Sequence, residues 1–213
     1  MTRLSETLPS SRCCLISGRP LTAVSAKGRQ AGASLIIVLL ILVVVSILGV
    51  GGAQIASMAE RGARNDRDMQ IAWQASEAGL MDAEFDIGPG TSSRRAVFGA
   101  GKNVSAFAAG CGSDLAGKDK GLCALAETGQ PAWLAVDFVT GTKVAEYGDF
   151  TGRNFASGSS GPQPFYKPRY IIEPIRDPGN RDLSETSYIY RVTSMGFGPR
   201  KDIQAVTQTI YRN

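Results

Sequence analysis

The chain has 213 residues, with 23 basic side chains, 19 acidic side chains and no histidine, which gives a net charge of +4. Residues 1–32 carry five basic residues against one acidic residue, Glu6, and this leader accounts for the whole positive excess. The neutral remainder argues against a nucleic-acid-binding domain. The lack of histidine excludes His-based catalytic triads and histidine metal ligands.

An uncharged run of 30 residues lies between Arg29 and Glu60. A helix needs roughly 20 apolar residues to cross the hydrocarbon core of a bilayer, and Ala31 to Ala53 provides them. Only a helix satisfies its own backbone hydrogen bonds inside lipid, so the run predicts a transmembrane helix. Because basic residues beside a membrane segment stay on the cytoplasmic side, we expect a cytoplasmic N-terminus and an exported C-terminal part.

The helical pattern continues beyond the apolar run. Residues 54–87 contain no proline, and apolar or small side chains recur there at spacings of three and four, as on one face of a helix. These side chains are Met69, Ala72, Trp73, Ser76, Leu80, Ala83 and Ile87. Gly88-Pro89-Gly90 then combines a favoured cap residue with a residue that cannot continue a helix. The sequence therefore predicts one helix from Ala33 to Ile87.

Individual side chains of the amphipathic half also carry expectations. Trp73 lies on the apolar face, so we expect it in the core. The acidic residues are expected on a solvated face or as partners of nearby arginines. They are Glu77, Glu84 and Asp86, with Arg64 and Arg67 as the arginines.

Three glycines, Gly49, Gly51 and Gly52, interrupt the apolar half near its outer end. Each costs about 1 kcal/mol relative to alanine in a helix interior. Two explanations stay open. The glycines allow close packing against a neighbouring membrane helix, or they let this segment adjust its helical structure when its surroundings change.

Two cysteines, Cys111 and Cys123, lie in the part that is expected to be exported. In an oxidising compartment they can form a disulfide, which closes a short loop and stabilises the fold by about 3 kcal/mol. The alternative is two free thiols. Cys13 and Cys14 lie in the leader and are expected to stay reduced.

The C-terminal part predicts an antiparallel sheet. After an irregular segment of residues 91–130, four segments are rich in β-branched and aromatic residues, namely 132–139, 169–175, 187–195 and 203–211. The last two flank a turn-rich connection and predict a hairpin. We therefore expect an α+β fold in which one long helix, with a transmembrane half and an amphipathic half, packs on an antiparallel β-sheet.

This order of segments resembles the type IV pilins and pseudopilins, and most closely the PilX-type minor pilins. The shared features are a basic leader that ends in glycine, an apolar helix directly after it, an amphipathic continuation and an antiparallel sheet. The resemblance rests on RQAGASLIIVLLILVVVSILG (29–49), QIAWQASEAGLMDAE (70–84), RVTSMGFG (191–198) and AVTQTIYR (205–212).

The resemblance implies a maturation step and a division into segments. A prepilin peptidase would cut after Gly32 and leave Ala33 as an N-methylated terminus. The chain would then comprise a cytoplasmic leader (1–32), a transmembrane and assembly half of the helix (33–59), an amphipathic half (60–88) and a periplasmic globular domain (89–213).

One departure from the family pattern bears on function. Most pilins carry glutamate at the fifth residue after the cut, whereas this chain has Ile37. In the family, that carboxylate pairs with the terminal ammonium of the adjacent subunit, and a buried carboxylate is costly without such a partner. The missing glutamate suggests a subunit at the tip or in an initiation complex, where no subunit stands above it.

We therefore expect a minor pilin precursor that catalyses no reaction, holds no cofactor or metal, and helps to initiate type IV pilus assembly at or near the filament tip. Its expected partners are the prepilin peptidase, other minor and major pilins, the inner membrane and a tip adhesin, but not nucleic acid. Before assembly it would cross the inner membrane once, with a periplasmic domain, and it would afterwards belong to the pilus.

Two alternative functions and one weak metal site remain to be considered. The chain could be a minor pseudopilin of a type II secretion system, or an unprocessed single-span envelope protein whose periplasmic domain binds a partner. A Ca²⁺ site near Asp177 and Asp182, with Glu173 and Glu185 close in sequence, is weaker. D-P-G-N is first a turn signal, and the EF-hand spacing is missing.

Overall fold

A computed structural model describes residues 33–98, 104–112, 117–179 and 187–212. The expected leader, residues 1–32, lies outside the described residues. Two compact units divide at Gly52: the apolar part of the long helix belongs to the first, and residues from Ala53 onwards form the second.

The long helix α1 spans Ala33–Ile87 and has 55 residues. These bounds confirm the helix that the sequence predicts. The helix ends where the N–H of Gly88 donates to the carbonyl of Glu84 at 2.8 Å, and Pro89, which follows, lacks the N–H that a further turn would need.

Four antiparallel strands form one sheet in the order β1-β2-β3-β4. They are β1 (Ala145–Glu146), β2 (Arg169–Arg176), β3 (Tyr188–Phe197) and β4 (Gln204–Tyr211). In the register of the last hairpin, Phe197 lies opposite Gln204 and Tyr190 opposite Tyr211. The α+β class and the C-terminal hairpin are therefore confirmed.

The strand predicted for residues 132–139 is wrong. Its first residues form a single helical turn, α3 (Ala132–Ala135), which follows Pro131. The carboxylate of Asp137 then accepts the N–H groups of Val139 at 2.7 Å and Thr140 at 3.3 Å. A side chain that binds backbone in this way offers the chain an alternative to strand pairing.

The described residues of the segment between α1 and α3 are mostly irregular, as expected. It contains a second short helix, α2 (Arg95–Phe98), and a 3₁₀ turn at Val104–Ala106. A parallel bridge between Leu122 and Ile172 connects it to the sheet. Its aromatic side chains contribute to the main core, where Phe98 packs edge-on against Tyr190 with ring centroids 5.4 Å apart.

Small residues allow α1 to approach the sheet closely. A Cβ on Gly79 would lie 2.2 Å from Oγ of Ser194, and a Cβ on Gly196 would lie 2.2 Å from the carbonyl oxygen of Ala72. Neither position has room for a side chain. The helix face against β3 and β4 is accordingly built from small residues, such as Ala72, Ala75 and Ala83, which are almost completely buried.

This close approach explains why the prediction of a buried Trp73 is wrong. The Trp73 side chain is 51% exposed, and its indole N–H donates to the carboxylate of Glu77 at 2.7 Å. Met69, on the same predicted face, is 45% exposed. A large side chain does not fit between a helix and a sheet that meet through glycine and alanine.

Candidate functional site

The first part of α1 presents a continuous apolar surface. Every large apolar side chain from Leu35 to Met58 is between 46% and 74% exposed, and Glu60 is the first charged residue of the helix. By length and composition this helix can cross a membrane. Burial of apolar surface is worth about 25 cal/mol per Å², so such a surface is stable against lipid or other apolar helices rather than in water.

Ile37 lies within this apolar surface and is 59% exposed. The segment from Ala33 to Ala59 has no acidic side chain, so it offers no carboxylate to an ammonium group of another chain. Ala33 is the first residue of α1, and Gly32, the expected cleavage site, lies outside the described residues.

The three glycines of the apolar half stay helical. Apart from the chain neighbours and the backbone of the helix itself, no heavy atom of the described residues lies within 4 Å of the Cβ that Gly49, Gly51 or Gly52 would carry as another residue. Close packing within the described part of the chain therefore does not require glycine at these positions. Packing between chains and adjustment of the helix both remain as explanations.

A buried ion pair connects the last turn of α1 with the segment that follows it. The guanidinium of Arg94 donates from Nε to Oδ2 of Asp86 at 2.8 Å, and both side chains are fully shielded from solvent. The carboxylate also accepts the hydroxyls of Ser92 at 2.6 Å and Tyr170 at 3.1 Å. The expectation of a solvated Asp86, or of one paired with Arg64 or Arg67, is therefore wrong.

Aromatic and backbone groups complete the surroundings of Arg94. Its guanidinium lies 3.6 Å from the ring centroid of Phe150, and its Nη1 donates to the carbonyls of Lys118 and Lys120. Burial and the nearby Asp86 carboxylate raise the pKa of Tyr170 well above its ordinary value, so its hydroxyl stays protonated and donates. The pair thus joins α1, β2 and the segment of residues 117–123.

A second buried carboxylate, Asp82, lies one turn earlier on α1. It accepts the N–H of Gly148 at 2.8 Å and the hydroxyl of Thr151 at 2.6 Å, and Nη1 of Arg153 is 3.7 Å away. Burial raises the pKa of Asp82, although these donors and the positive charge lower it in part. Asp82 thereby attaches the helix to the turn after β1.

These buried polar contacts were missed because the predicted apolar face leaves out both carboxylates. Asp82 and Asp86 are one helical turn apart, and each directly precedes a buried residue, Ala83 or Ile87. The available signal in the sequence was that each of these two acidic residues stands next to a residue of the predicted apolar face. Their partners come from residues 92–94 and 148–153 and from Tyr170 of β2, which no helical pattern includes.

A disulfide joins Cys111 and Cys123. Both residues are fully buried in a small cluster with Phe138, Val144 and Ile171. The disulfide holds the loop whose residues 118 and 120 supply carbonyl groups to Arg94.

No group of three or more His, Cys, Asp or Glu side chains in the described part could hold a metal ion. Asp177 accepts the N–H of Gly179 and pairs with Arg212 at 2.9 Å, while Glu173 is buried against Arg191. Asp182 and Glu185, the other acids of the weak Ca²⁺ alternative, lie outside the described residues.

Two family models match the chain. The PilX N-terminal model matches residues 31–80, which cover the apolar half of α1 and most of the amphipathic half. The model of the type IV pilus assembly protein PilX C-terminal region matches residues 119–213, which include the whole sheet. No curated protein and no solved structure gave a match.

The matched segments together cover more than half of the chain. They include most of helix α1 and the whole sheet. The chain belongs to the PilX family of type IV pilus assembly proteins and is a minor pilin.

Proposed function

We propose that this minor pilin helps to initiate pilus assembly and occupies a position at or near the filament tip, where it acts as a structural subunit and not as an enzyme. The observation that carries the proposal is Ile37 in the apolar surface of α1. A subunit below the tip uses a glutamate at this position to pair with the ammonium group of the subunit above it. A subunit at the tip has no subunit above it.

Maturation would proceed as for the rest of the family. The prepilin peptidase cuts after Gly32, removes residues 1–32 and leaves Ala33, which is then N-methylated. The basic leader supports a cytoplasmic N-terminus. Residues 33–59 then hold the subunit in the inner membrane, residues 60–88 form the amphipathic half of the helix, and residues 89–213 form the periplasmic domain.

The same apolar surface serves before and after assembly. Lipid covers the side chains from Leu35 to Met58 in the membrane, and the helices of neighbouring pilins cover them in the filament. Transfer between the two apolar environments need not expose this surface to water. The cluster of Gly49, Gly51 and Gly52 would let the helix adjust between the two states.

The proposed partners are other minor and major pilins, the prepilin peptidase and a tip adhesin. The description of the C-terminal family model names type IV pilus assembly, which favours a pilus over a type II secretion system. No nucleic acid and no cofactor enter the proposal.

Counting the protein on purified filaments tests the position. Gold particles bound to an epitope at the C-terminus should mark one end of each filament, and deletion of the protein should lower the number of filaments without altering the shaft. Labels at regular intervals along the shaft would contradict the tip position.

Replacing Gly32 with phenylalanine tests the maturation step. The full-length precursor should accumulate in the membrane, as seen by mass and by sequencing of the N-terminus. Gly28→Phe, a change four residues earlier in the leader, is the matched control and should mature normally. Normal cleavage of the Gly32→Phe variant would reject this site.

A further inference from the structure

The two edges of the sheet differ in how they are protected. An exposed strand edge carries unpaired N–H and C=O groups, and proteins usually protect it with short strands, charges or proline. The β1 edge follows this rule: the strand has two residues, and the N–H of Glu146 donates to the carboxylate of Asp149 at 3.0 Å. The β4 edge has none of these protections, since its eight residues contain no charge and no proline.

The register shows which groups point outward from β4. The N–H of Gly198 donates to the carbonyl of Ile203, so this pair is hydrogen-bonded and the next pair, Phe197 and Gln204, is not. With the alternation of an antiparallel ladder, the N–H and C=O groups that face away from β3 belong to Gln204, Val206, Gln208 and Ile210. In the described part of the chain, no backbone group outside β3 is bonded to them.

The side chains near this edge are apolar and exposed. Val206 is 47% exposed and Ile210 is 61% exposed, on the sheet face opposite α1. On the helix side, the hydroxyl of Ser76 contacts that of Thr207 in β4. Viewed along the helix axis, with 100° per residue, four side chains lie within a sector of about 60°. In order around the axis they are Ser76, Met69, Leu80 and Trp73. The exposed part of that sector, around Met69 and Trp73, therefore lies on the β4 side of the helix.

From these observations we infer that β4 accepts a strand from another protein, which extends the sheet as a fifth strand. A row of unpaired backbone groups is satisfied fully only by another extended backbone, and side chains on the two faces of the added strand would cover Val206 and Ile210 on one side and Trp73 on the other. This binding site does not depend on the position of the subunit in the filament.

The charge around β4 indicates the kind of strand. Residues 200–212 carry three basic residues, Arg200, Lys201 and Arg212, and one acidic residue, Asp202. Arg212 lies at one end of β4, where it pairs with Asp177 at 2.9 Å. At the other end Arg200 pairs with Asp202 at 3.7 Å, and Lys201 lies exposed. A second copy of this chain would place two positively charged segments side by side. A strand with β-branched residues in its centre and acidic residues at its ends complements this edge better.

Hydrogen exchange of the free protein provides the first test. The full chain in detergent micelles should show fast exchange at the amides of Val206, Gln208 and Ile210, and slow exchange at Thr207 and Thr209, which bond to β3. Slow exchange at all five amides would mean that another part of the chain already covers the edge, and it would overturn the inference.

A synthetic peptide provides the second test. The probe has ten residues, with alternating Thr and Val in the centre and two acidic residues at each end. At saturation it should slow the exchange of Val206, Gln208 and Ile210 by at least tenfold. The same peptide with Lys at both ends should bind at least threefold more weakly, and added salt should remove this difference. A peptide N-methylated at alternate central residues should not bind.

Variants of the edge complete the design. Val206→Pro and Ile210→Pro each remove one outward N–H without breaking a bond to β3, and each should weaken peptide binding at least tenfold while Thr207 and Thr209 stay protected. Val206→Ala, the matched control, keeps the N–H and should bind within threefold of the wild type. Equal binding of the N-methylated peptide, or no binding of any peptide, would overturn the inference. A dimer formed through β4, detected by light scattering, would also overturn it, because the occupant would then be a second copy.

Discussion

Arg94 and Asp86 form a fully shielded ion pair across the turn that ends α1, with Nε of the guanidinium 2.8 Å from Oδ2 of the carboxylate. The turn between them, Gly88-Pro89-Gly90, reverses the chain so that the first residues after the helix lie against its last turn. Ser92, Tyr170 and the carbonyls of Lys118 and Lys120 supply the remaining hydrogen bonds. The pair therefore fixes how the helix leads into the globular domain.

We expect Arg94→Met to destabilise the domain by about 3–5 kcal/mol, because it leaves the Asp86 carboxylate buried without its counter-ion. For a protein of this size the melting temperature should fall by roughly 10 °C. The double variant Asp86→Leu/Arg94→Met should be more stable than Arg94→Met alone, since no unpaired charge remains. Thermal unfolding of the full chain in detergent measures all three proteins.

The exposed neighbour Arg95 provides the control for this prediction. Arg95→Met removes the same charge from the next residue and should change the free energy of unfolding by less than about 0.5 kcal/mol. Equal losses in the two single variants would show that the buried pair does not contribute specifically.

The sequence predicts the fold correctly where residues close together in the chain determine the local structure. The helix ends at Ile87 because Gly88 and Pro89 stop it, and the last hairpin follows from two β-rich segments around a turn. The wrong predictions concern residues whose environment depends on contacts with distant parts of the chain. Trp73 is exposed because Gly79 of the helix and Gly196 of β3 let the helix and the sheet approach too closely for an indole ring to fit between them.

Asp86 shows the same limit for the polar contacts. A helical wheel assigns acidic residues to solvent, whereas this carboxylate is buried because an arginine beyond the turn accompanies it. The sequence alone does not predict that Arg94 pairs with Asp86, because the two side chains come together only in the folded structure. The strand prediction for residues 132–139 is wrong for a different reason. The strand propensity of these residues is high, but Pro131 and the backbone contacts of Asp137 favour a helical turn and a loop.

The buried Asp82 predicts a specific pH dependence. Its pKa is raised above the ordinary value of 3.8, chiefly by burial, so the folded chain binds this proton more tightly than the unfolded chain does. Its contribution to the free energy of unfolding is therefore full below pH 3.8 and is lost as the pH rises through the raised folded pKa. We expect the stability of the wild type relative to Asp82→Asn to decrease over this range, as measured by urea unfolding at a series of pH values.

Asp137 gives a control with the opposite sign. The N–H groups of Val139 and Thr140 lower its pKa below 3.8, so its contribution is present above that pH and is lost as the pH falls through the lowered folded value. The stability of the wild type relative to Asp137→Asn should therefore increase as the pH rises towards 3.8. The same sign for both variants would contradict these assignments.

Loss of the disulfide should act on the same region as loss of Arg94. Replacing Cys111 and Cys123 by serine should lower the free energy of unfolding by about 3 kcal/mol, because the loop gains conformational freedom in the unfolded chain. The loop also carries the carbonyls of Lys118 and Lys120 that Arg94 uses, so the two changes should not be additive. A double-mutant cycle with Arg94→Met measures the coupling, and strict additivity would refute it.

The proposed tip position predicts the effect of restoring the family glutamate. Ile37→Glu places a carboxylate in an apolar surface where, at the tip, no ammonium group from a subunit above can pair with it. We expect several-fold fewer filaments per cell, because each initiation complex then contains an unpaired buried charge. Ile37→Leu keeps the apolar character and should leave the number of filaments unchanged. If Ile37→Glu instead left that number unchanged and increased the copies of this subunit along the shaft, the glutamate would have found its partner within the filament, and the subunit would not be confined to the tip.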